Sequence, residues 1–361
     1  MKTDILVVGA GFAGASTAYH LSQNGAGSIL IVDKEGAPGV HASGRNASLV
    51  LQSTASRPIR QTAAASRAAY QERAAALGFR PVGSLLIGSR QSLSAVRQPD
   101  LIPSEYRDPE QIRREIPLLK GHPFEAALWT PSDGIMDISR LLRFYLDGAR
   151  EKGAELRLDS EVAGIRGKGP FQVETSRGPV EAGILINAAG AWASGIGAMA
   201  GAARLPLASL KRHLFVLDDV GEVSPEQPFV WSLAQNFYFR PESGGLLFSI
   251  CDEEKSPALE PTVSPEITQS LAELLWQQLP ALRQATQRDV WACFRTKTPD
   301  GQFVIGQDPG LNGFFWVAGL GGQGMGTSWE VGRLAARSVL SSDVHPQFAP
   351  GRFETTLATD S

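Results

Sequence analysis

Residues 4–14 read DILVVGAGFAG, and the fold follows from how these positions are read. Asp4 to Val8 is an apolar run of strand length, glycines follow at once at positions 9, 11 and 14, and Ala13 to Asn24 carries helix-forming residues. Each glycine has its own task in such a strand, turn and helix. Gly9 allows the tight turn, Gly11 lets backbone approach a pyrophosphate with no Cβ in the way, and Gly14 lets the helix pack closely on the strand. Phe12 and Ala13 open the helix, so its free N–H groups and its dipole favour negative charge there. Ser28 to Val32 then reads as a second buried strand. It ends at Asp33, roughly 20 residues past Gly14, where a carboxylate accepts from ribose hydroxyls. A single Lys34 follows, not the basic cluster that would hold a 2′-phosphate, which favours FAD or NAD over NADP.

Length and composition bound what this unit serves. A chain of 361 residues with 43% hydrophobic residues exceeds what one core usually supports, so two domains are expected. The net charge of −3, from 34 basic and 37 acidic residues, gives no excess for nucleic acid or an anionic membrane, and small molecules are the expected partners. Cys251 and Cys293 form neither a disulfide framework nor a metal-ligand spacing, so no metal is expected and the compartment reads as reducing and cytoplasmic. Asp4 and the glycine turn interrupt any signal-like apolar start. No segment reaches the apolar length of a membrane span.

Along the chain, Gly36 to Thr54 is a loop of small residues containing His41, Ala42, Ser43, Arg45, Asn46 and Ala47, suited to lying against a phosphate or a flavin ring. Pro58 to Leu77 reads as a helix and Val82 to Ile87 as a strand. The apolar stripe Ile138, Leu141, Leu142, Tyr145, Leu146 and Ala149 marks one buried helix face. Glu155 to Leu158, Glu161 to Arg166 (with Val162), Phe171 to Thr175 and Val180 to Asn187 read as strands. The last runs into Ala188-Ala189-Gly190, where small residues suit a cofactor close to the backbone. Leu210 to Leu217, Phe229 to Trp231, Phe237 to Arg240 and Leu246 to Ile250 read as an antiparallel sheet. Ser264 and Pro265 read as the N-cap and first position of a helix. In the last third, strands Phe303 to Gly306 and Phe314 to Ala318 lead to Gly319-Leu320-Gly321-Gly322-Gln323-Gly324-Met325-Gly326 and a helix from Thr327 to Leu340. A second glycine-rich loop at a helix N-terminus suits a flavin, whose reduced ring gathers negative charge.

With these residues together, the sequence resembles the D-amino-acid oxidase family of FAD oxidoreductases, which includes glycine oxidase, sarcosine oxidase and D-arginine dehydrogenase. The resemblance runs through Gly39 to Ala47 (GVHASGRNA), Asn187 to Trp192, Phe237-Tyr238 and Gly319 to Ser328. It implies an α/β and α+β architecture: a Rossmann-type, glutathione-reductase-like FAD domain from residues 1–78, 140–205 and 290–361, and a substrate domain on a mostly antiparallel sheet from 79–139 and 206–289. It implies FAD contacts from Gly9, Gly11, Phe12, Ala13 and Gly14, from Asp33 and Lys34, and from Ala42, Ser43 and Arg45 to Ala47. Val162, Ala189, Gly190, Trp192 and Gly321 to Gly326 complete the set.

It further implies that Arg295 pairs with a substrate carboxylate, that the Tyr238 hydroxyl helps hold it, and that Arg212 and Arg240 are structural charges. A planar guanidinium forks onto a carboxylate and aims the α-hydrogen at the flavin. The implied reaction oxidises a Cα–N bond by hydride transfer to flavin N5, gives an imine that hydrolyses to a 2-oxo acid, and passes electrons to oxygen or a quinone. Non-covalent FAD is expected, because a buried cysteine is usually inert packing; a covalent link through Cys293, where monomeric sarcosine oxidases attach FAD, is the alternative. Leu49, Thr54 and Ser84 stand where the arginine-specific enzymes carry histidine, tyrosine and glutamate. The lysine and arginine of the monomeric sarcosine oxidases, near Gly326 and Leu49, are also missing. A neutral D-amino acid is therefore the expected substrate. An N-alkyl glycine is one alternative, and a partner-dependent flavoprotein subunit the other.

Overall fold

The computed structural model describes residues 1–257 and 260–353. Strand β1 (Lys2–Val8) lies inside an eight-stranded sheet, parallel to β2 (Ile29–Val32) on one side and to Val180–Asn187 on the other. Its apolar run is unbroken because both faces are covered. Ile5 and Val7 pack towards helix α1 (Phe12–Gln23) and the helices Ile138–Arg150 and Ser328–Ser341; Leu6 and Val8 pack on the other side, with Val162, Phe171 and Ile196. Glu155–Arg157 extends the sheet beyond β2, and Phe314–Ala318 then Val304–Gln307 extend it beyond Val180–Asn187. An antiparallel pair, Val162–Arg166 and Phe171–Thr175, hangs from the same central strand. The sheet and its helices form the expected Rossmann-type unit.

The second sheet has nine strands and one parallel pair, Phe229–Ser232 with Ser84–Gly88. Strand alternation divides its faces. Phe237, Phe239 and Phe248 stack 5.7–6.4 Å apart in the core under the helix Ile267–Gln278. Trp231, Tyr238 and Cys293 pack together in a separate cluster. Thr286–Lys297 pairs with the whole of Ala208–Asp218. A domain boundary at 290 would cut this strand, whose hydrogen bonds hold both halves in the nine-stranded sheet. The end of the 290–361 segment, 354–361, lies outside the described residues.

Two element ends differ from the sequence reading. The Pro58 to Leu77 helix is interrupted at Arg73, giving Arg57–Glu72 and Ala74–Leu77. The helix expected from Ser264 begins at Ile267, after a turn in which the Ser264 carbonyl accepts the Ile267 N–H at 3.1 Å; the Ser264 hydroxyl donates to Glu254 and the helix has no side-chain cap. No helix among the described residues is long and apolar enough to cross a membrane.

Candidate active site

The glycine turn is built as its spacing requires. A Cβ on Gly14 would lie 1.9 Å from the Gly9 carbonyl oxygen, so only glycine lets α1 start this close to β1. Gly11 faces a cavity, and there a Cβ would meet Ser43 Oγ at 2.8 Å. Ser43 Oγ accepts the Phe12 N–H at 2.9 Å, which leaves its own proton free to donate beside the helix N-terminus. Asp33 accepts from the Ala10 N–H at 2.7 Å and the Glu35 N–H at 3.0 Å. It therefore fixes the turn as well as facing the cavity, and its remaining lone pairs can take a ribose hydroxyl.

The same cavity is lined by Phe12, Ala13, Lys34, Ala42, Asn46, Val162, Ala189, Gly190 and Trp192, and by Gly321, Gly322, Gly324 and Met325. Asn46 clamps its loop, donating to the Ser43 carbonyl at 2.7 Å and accepting from the Ser48 N–H at 2.8 Å. Tyr70 donates to the Met325 carbonyl at 2.9 Å and so ties the second glycine loop to the helix Arg57–Glu72.

Five residues expected at the cofactor are not on the cavity wall. Arg45 turns to Glu260 at 3.1 Å, so its charge is already paired. Ala47 packs with Leu214, Tyr238 and Cys293, and its carbonyl accepts from Arg240 Nε at 2.7 Å. The Gln323 carbonyl caps the next turn, accepting from the Thr327 N–H and hydroxyl. Gly14 is spent on helix packing, and Gly326 lies beneath Leu49, whose carbonyl is 3.3 Å from where its Cβ would stand.

His41 is a wall residue to which the sequence reading gave no role. Its Nε2 is 2.8 Å from Glu35 Oε1, its ring lies 4.5 Å from that of Trp192, and its buried Nδ1 has no hydrogen-bond partner among the described residues, Glu260 Oε2 standing 3.9 Å away. The hydrogen bond with His41 is the largest influence on Glu35 and holds its carboxyl below the usual range. Lys34 stands 4.0 Å over the Trp192 ring. Sequence gave only the residue types here, because the Glu35–His41–Trp192 contact joins two separate loops.

Arg295 lies on the cavity wall beside Cys293, on the strand Thr286–Lys297. Its Nη2 donates to the Tyr238 hydroxyl at 3.2 Å, and no carboxylate of the described residues is within ion-pair distance. Gly322 (φ +89°) presses on the guanidinium: a Cβ there would stand 2.8 Å from Nη1. The Gly321 N–H donates to the Thr296 carbonyl at 2.9 Å and locks that loop to the strand. The other two arginines are satisfied within the protein. Arg212 donates to the Asp252 and Cys251 carbonyls and meets Glu253 at 2.6 Å; Arg240 donates to the Ala47 and Pro241 carbonyls and meets Glu242 at 2.6 Å. Burial pushes the Cys293 thiol up, against the nearby arginine charges, which keeps it un-ionised near neutrality.

One carboxylate escaped the sequence reading. Asp133 is fully buried, with Ser84 Oγ donating to it at 2.6 Å and the Gln52 N–H and side-chain amide at 3.1 and 2.7 Å. Burial pushes its carboxyl up to about 6, against these hydrogen bonds.

The FAD dependent oxidoreductase (DAO) family matches residues 4–338. Mitochondrial dimethylglycine dehydrogenase of Mus musculus is 25% identical over 377 residues, covering 95% of this chain and 43% of the relative. Mitochondrial sarcosine dehydrogenase of the same species is 25% identical over 351 residues, covering 89% and 38%. The chain thus spans less than half the length of these curated relatives. The crystal structure of L-proline dehydrogenase from P. horikoshii superposes with a TM-score of 0.89 at 24% identity, covering 98% of both chains.

Proposed function

Because the chain belongs to the DAO family of FAD-dependent oxidoreductases, with FAD as its cofactor, we propose that it oxidises the Cα–N bond of a small amino acid with an uncharged side chain. The observation that carries this reading is the unpaired guanidinium of Arg295, held by Tyr238 on the cavity wall while Arg212 and Arg240 have carboxylates of their own. A guanidinium that lines a cavity with no carboxylate of its own among the described residues has donors left for a ligand carboxylate, the partner this geometry fits.

The residues present suit FAD: a turn that a Cβ would fill, a free hydroxyl on Ser43, lone pairs on Asp33, and the unpartnered Nδ1 of His41 on the same wall. We assign its phosphates to the Gly9–Gly14 turn and Ser43, its ribose to Asp33, and its ring to the Gly321–Met325 loop. Bound there, FAD supplies the acceptor for the hydride. On this reading the eight-stranded sheet carries the cofactor and the nine-stranded sheet the substrate. Arg295 and Tyr238 fix the carboxylate, which aims the α-hydrogen and contributes through orientation. The imine formed hydrolyses to a 2-oxo acid.

The neutral side chain is supported by Leu49 and Trp231, which pack about Tyr238 and carry no charge. Asp133 is committed to Gln52 and Ser84. A second reading, an N-alkyl glycine as substrate, is favoured by the names of the curated relatives, which act on sarcosine and dimethylglycine.

Anaerobic mixing of the holoprotein with D- and L-alanine, methionine, phenylalanine and proline, with sarcosine and dimethylglycine, and with D-arginine tests both readings. Bleaching of the flavin by a neutral amino acid is expected, and the N-methyl compounds decide the second reading. Fastest reduction by D-arginine rejects a neutral side chain, and no reduction by any compound rejects the activity in favour of a subunit that needs its partner. Admitting air then separates oxygen from a quinone as acceptor.

A further inference from the structure

The strand Phe229–Ser232 has an odd member. Phe229, Val230 and Ser232 are fully buried, yet its largest side chain, Trp231, is left partly exposed. Trp231 pairs across the strands with Tyr238, and their rings lie 4.8 Å apart at 44°. The Tyr238 hydroxyl in turn holds Arg295. Leu49, also partly exposed, packs on the same cluster, and its carbonyl stands 3.3 Å from where a Cβ of Gly326 would be. Three features therefore converge: a carboxylate anchor, an aromatic ring that reaches it through Tyr238, and the aliphatic side chain of Leu49, whose backbone adjoins the end of the second glycine loop. Trp231 and Leu49 also pack against the buried Leu51, Leu86 and Leu128, which back them with apolar side chains.

We propose that Trp231, supported by Leu49, is the wall against which the substrate's α-substituent packs, so that it sets the size of apolar side chain the site prefers. This rests on Arg295 being the carboxylate anchor. A carboxylate held by Arg295 and Tyr238 carries its α-substituent only one or two bonds further, within reach of the ring that flanks Tyr238. Burying apolar carbons there favours a branched or cyclic substituent over a hydrogen, because each buried methylene adds a similar increment. An aromatic face also gives this contact at little conformational cost, since the ring is already fixed by Tyr238.

The test uses carboxylates that cannot be oxidised. The FAD-loaded protein is titrated with acetate, propionate, 2-methylpropanoate, 3-methylbutanoate and benzoate, and Kd is read from the perturbed flavin spectrum. Affinity is expected to rise along the series, with 3-methylbutanoate binding roughly ten- to twentyfold tighter than acetate, the factor for burying about two of its three additional carbons. Trp231→Ala should remove most of that preference while changing the acetate Kd less than about threefold, and Trp231→Phe should keep most of it. If Trp231→Ala weakens acetate as much as 3-methylbutanoate, or leaves the preference intact, the wall is elsewhere and this inference fails alone. If no carboxylate perturbs the wild-type flavin, or Arg295→Met binds the series as the wild type does, the anchor itself is wrong and the inference falls with it.

Discussion

Replacing Arg295 by methionine removes the guanidinium while keeping an unbranched apolar stem. Its cost follows from the contacts of the native side chain. Guanidinium offers five N–H donors, one of which goes to Tyr238 at 3.2 Å, while Gly322 closes one side of the group. The remaining donors suffice for two parallel bonds to a carboxylate. Charge-assisted bonds contribute about 1.5–3 kcal/mol each, and loss of one partner leaves the other desolvated and unpaired. The expected loss is about 2–5 kcal/mol, or roughly 30- to 5,000-fold in kcat/KM. The fold should survive, because no carboxylate among the described residues is left without its partner. Arg212→Met would instead leave the Cys251 and Asp252 carbonyls without their donor and Glu253 with Lys297 alone, and should show chiefly as lost stability. Arg295→Lys should recover part of the binding but little of the rate of flavin reduction, since a point charge cannot reproduce the fork that aims the α-hydrogen. Anaerobic stopped-flow reduction measures both effects, with the flavin spectrum reporting that the site is otherwise intact. Near-native kcat/KM in Arg295→Met on the best substrate refutes the reasoning.

Asp33→Ala should lower FAD affinity, measured by equilibrium release of the flavin, and also thermal stability, because the Ala10 and Glu35 N–H groups lose their acceptor; unchanged affinity removes the ribose contact. Cys293 should leave FAD unattached, so acid precipitation should release the yellow colour, and a coloured pellet would establish a covalent link. Asp133 should make the protein less stable as pH rises. Its folded value, about 6, lies above the ordinary 3.8, so the folded state holds the extra proton; stability is highest below pH 4 as far as this group is concerned and is lost as pH climbs through 6. The gap corresponds to roughly 3 kcal/mol at 1.36 kcal/mol per pH unit. Asp133→Asn, which can still accept from Gln52 and donate to Ser84, should flatten that part of the urea-unfolding profile between about pH 4 and 7. An unchanged slope assigns the pH dependence to other groups.

The parts of this molecule legible from sequence are those whose cause is local. The turn at Gly9–Gly14 could be read because its constraint, the Gly9 carbonyl 1.9 Å from where a Gly14 side chain would begin, acts between residues five apart. Arg45 was misread because the glutamate that claims it, Glu260, is remote in sequence and arrives only through the fold. Asp133, in the Pro131 to Gly134 turn, has the composition of an exposed connection; it is buried because Gln52, from another segment, closes over it. The arginines show the same limit most sharply. Arg212, Arg240 and Arg295 all lie on strands of one sheet, and no local pattern ranks them. What separates them is whether a carboxylate stands within reach: Glu253 for the first, Glu242 for the second, and none among the described residues for the third. Arg295 stands partly exposed on the cavity wall with no such counter-charge. A ligand that brings a carboxylate supplies it, so of these three arginines the one the fold leaves without an anion is also the one best prepared to bind.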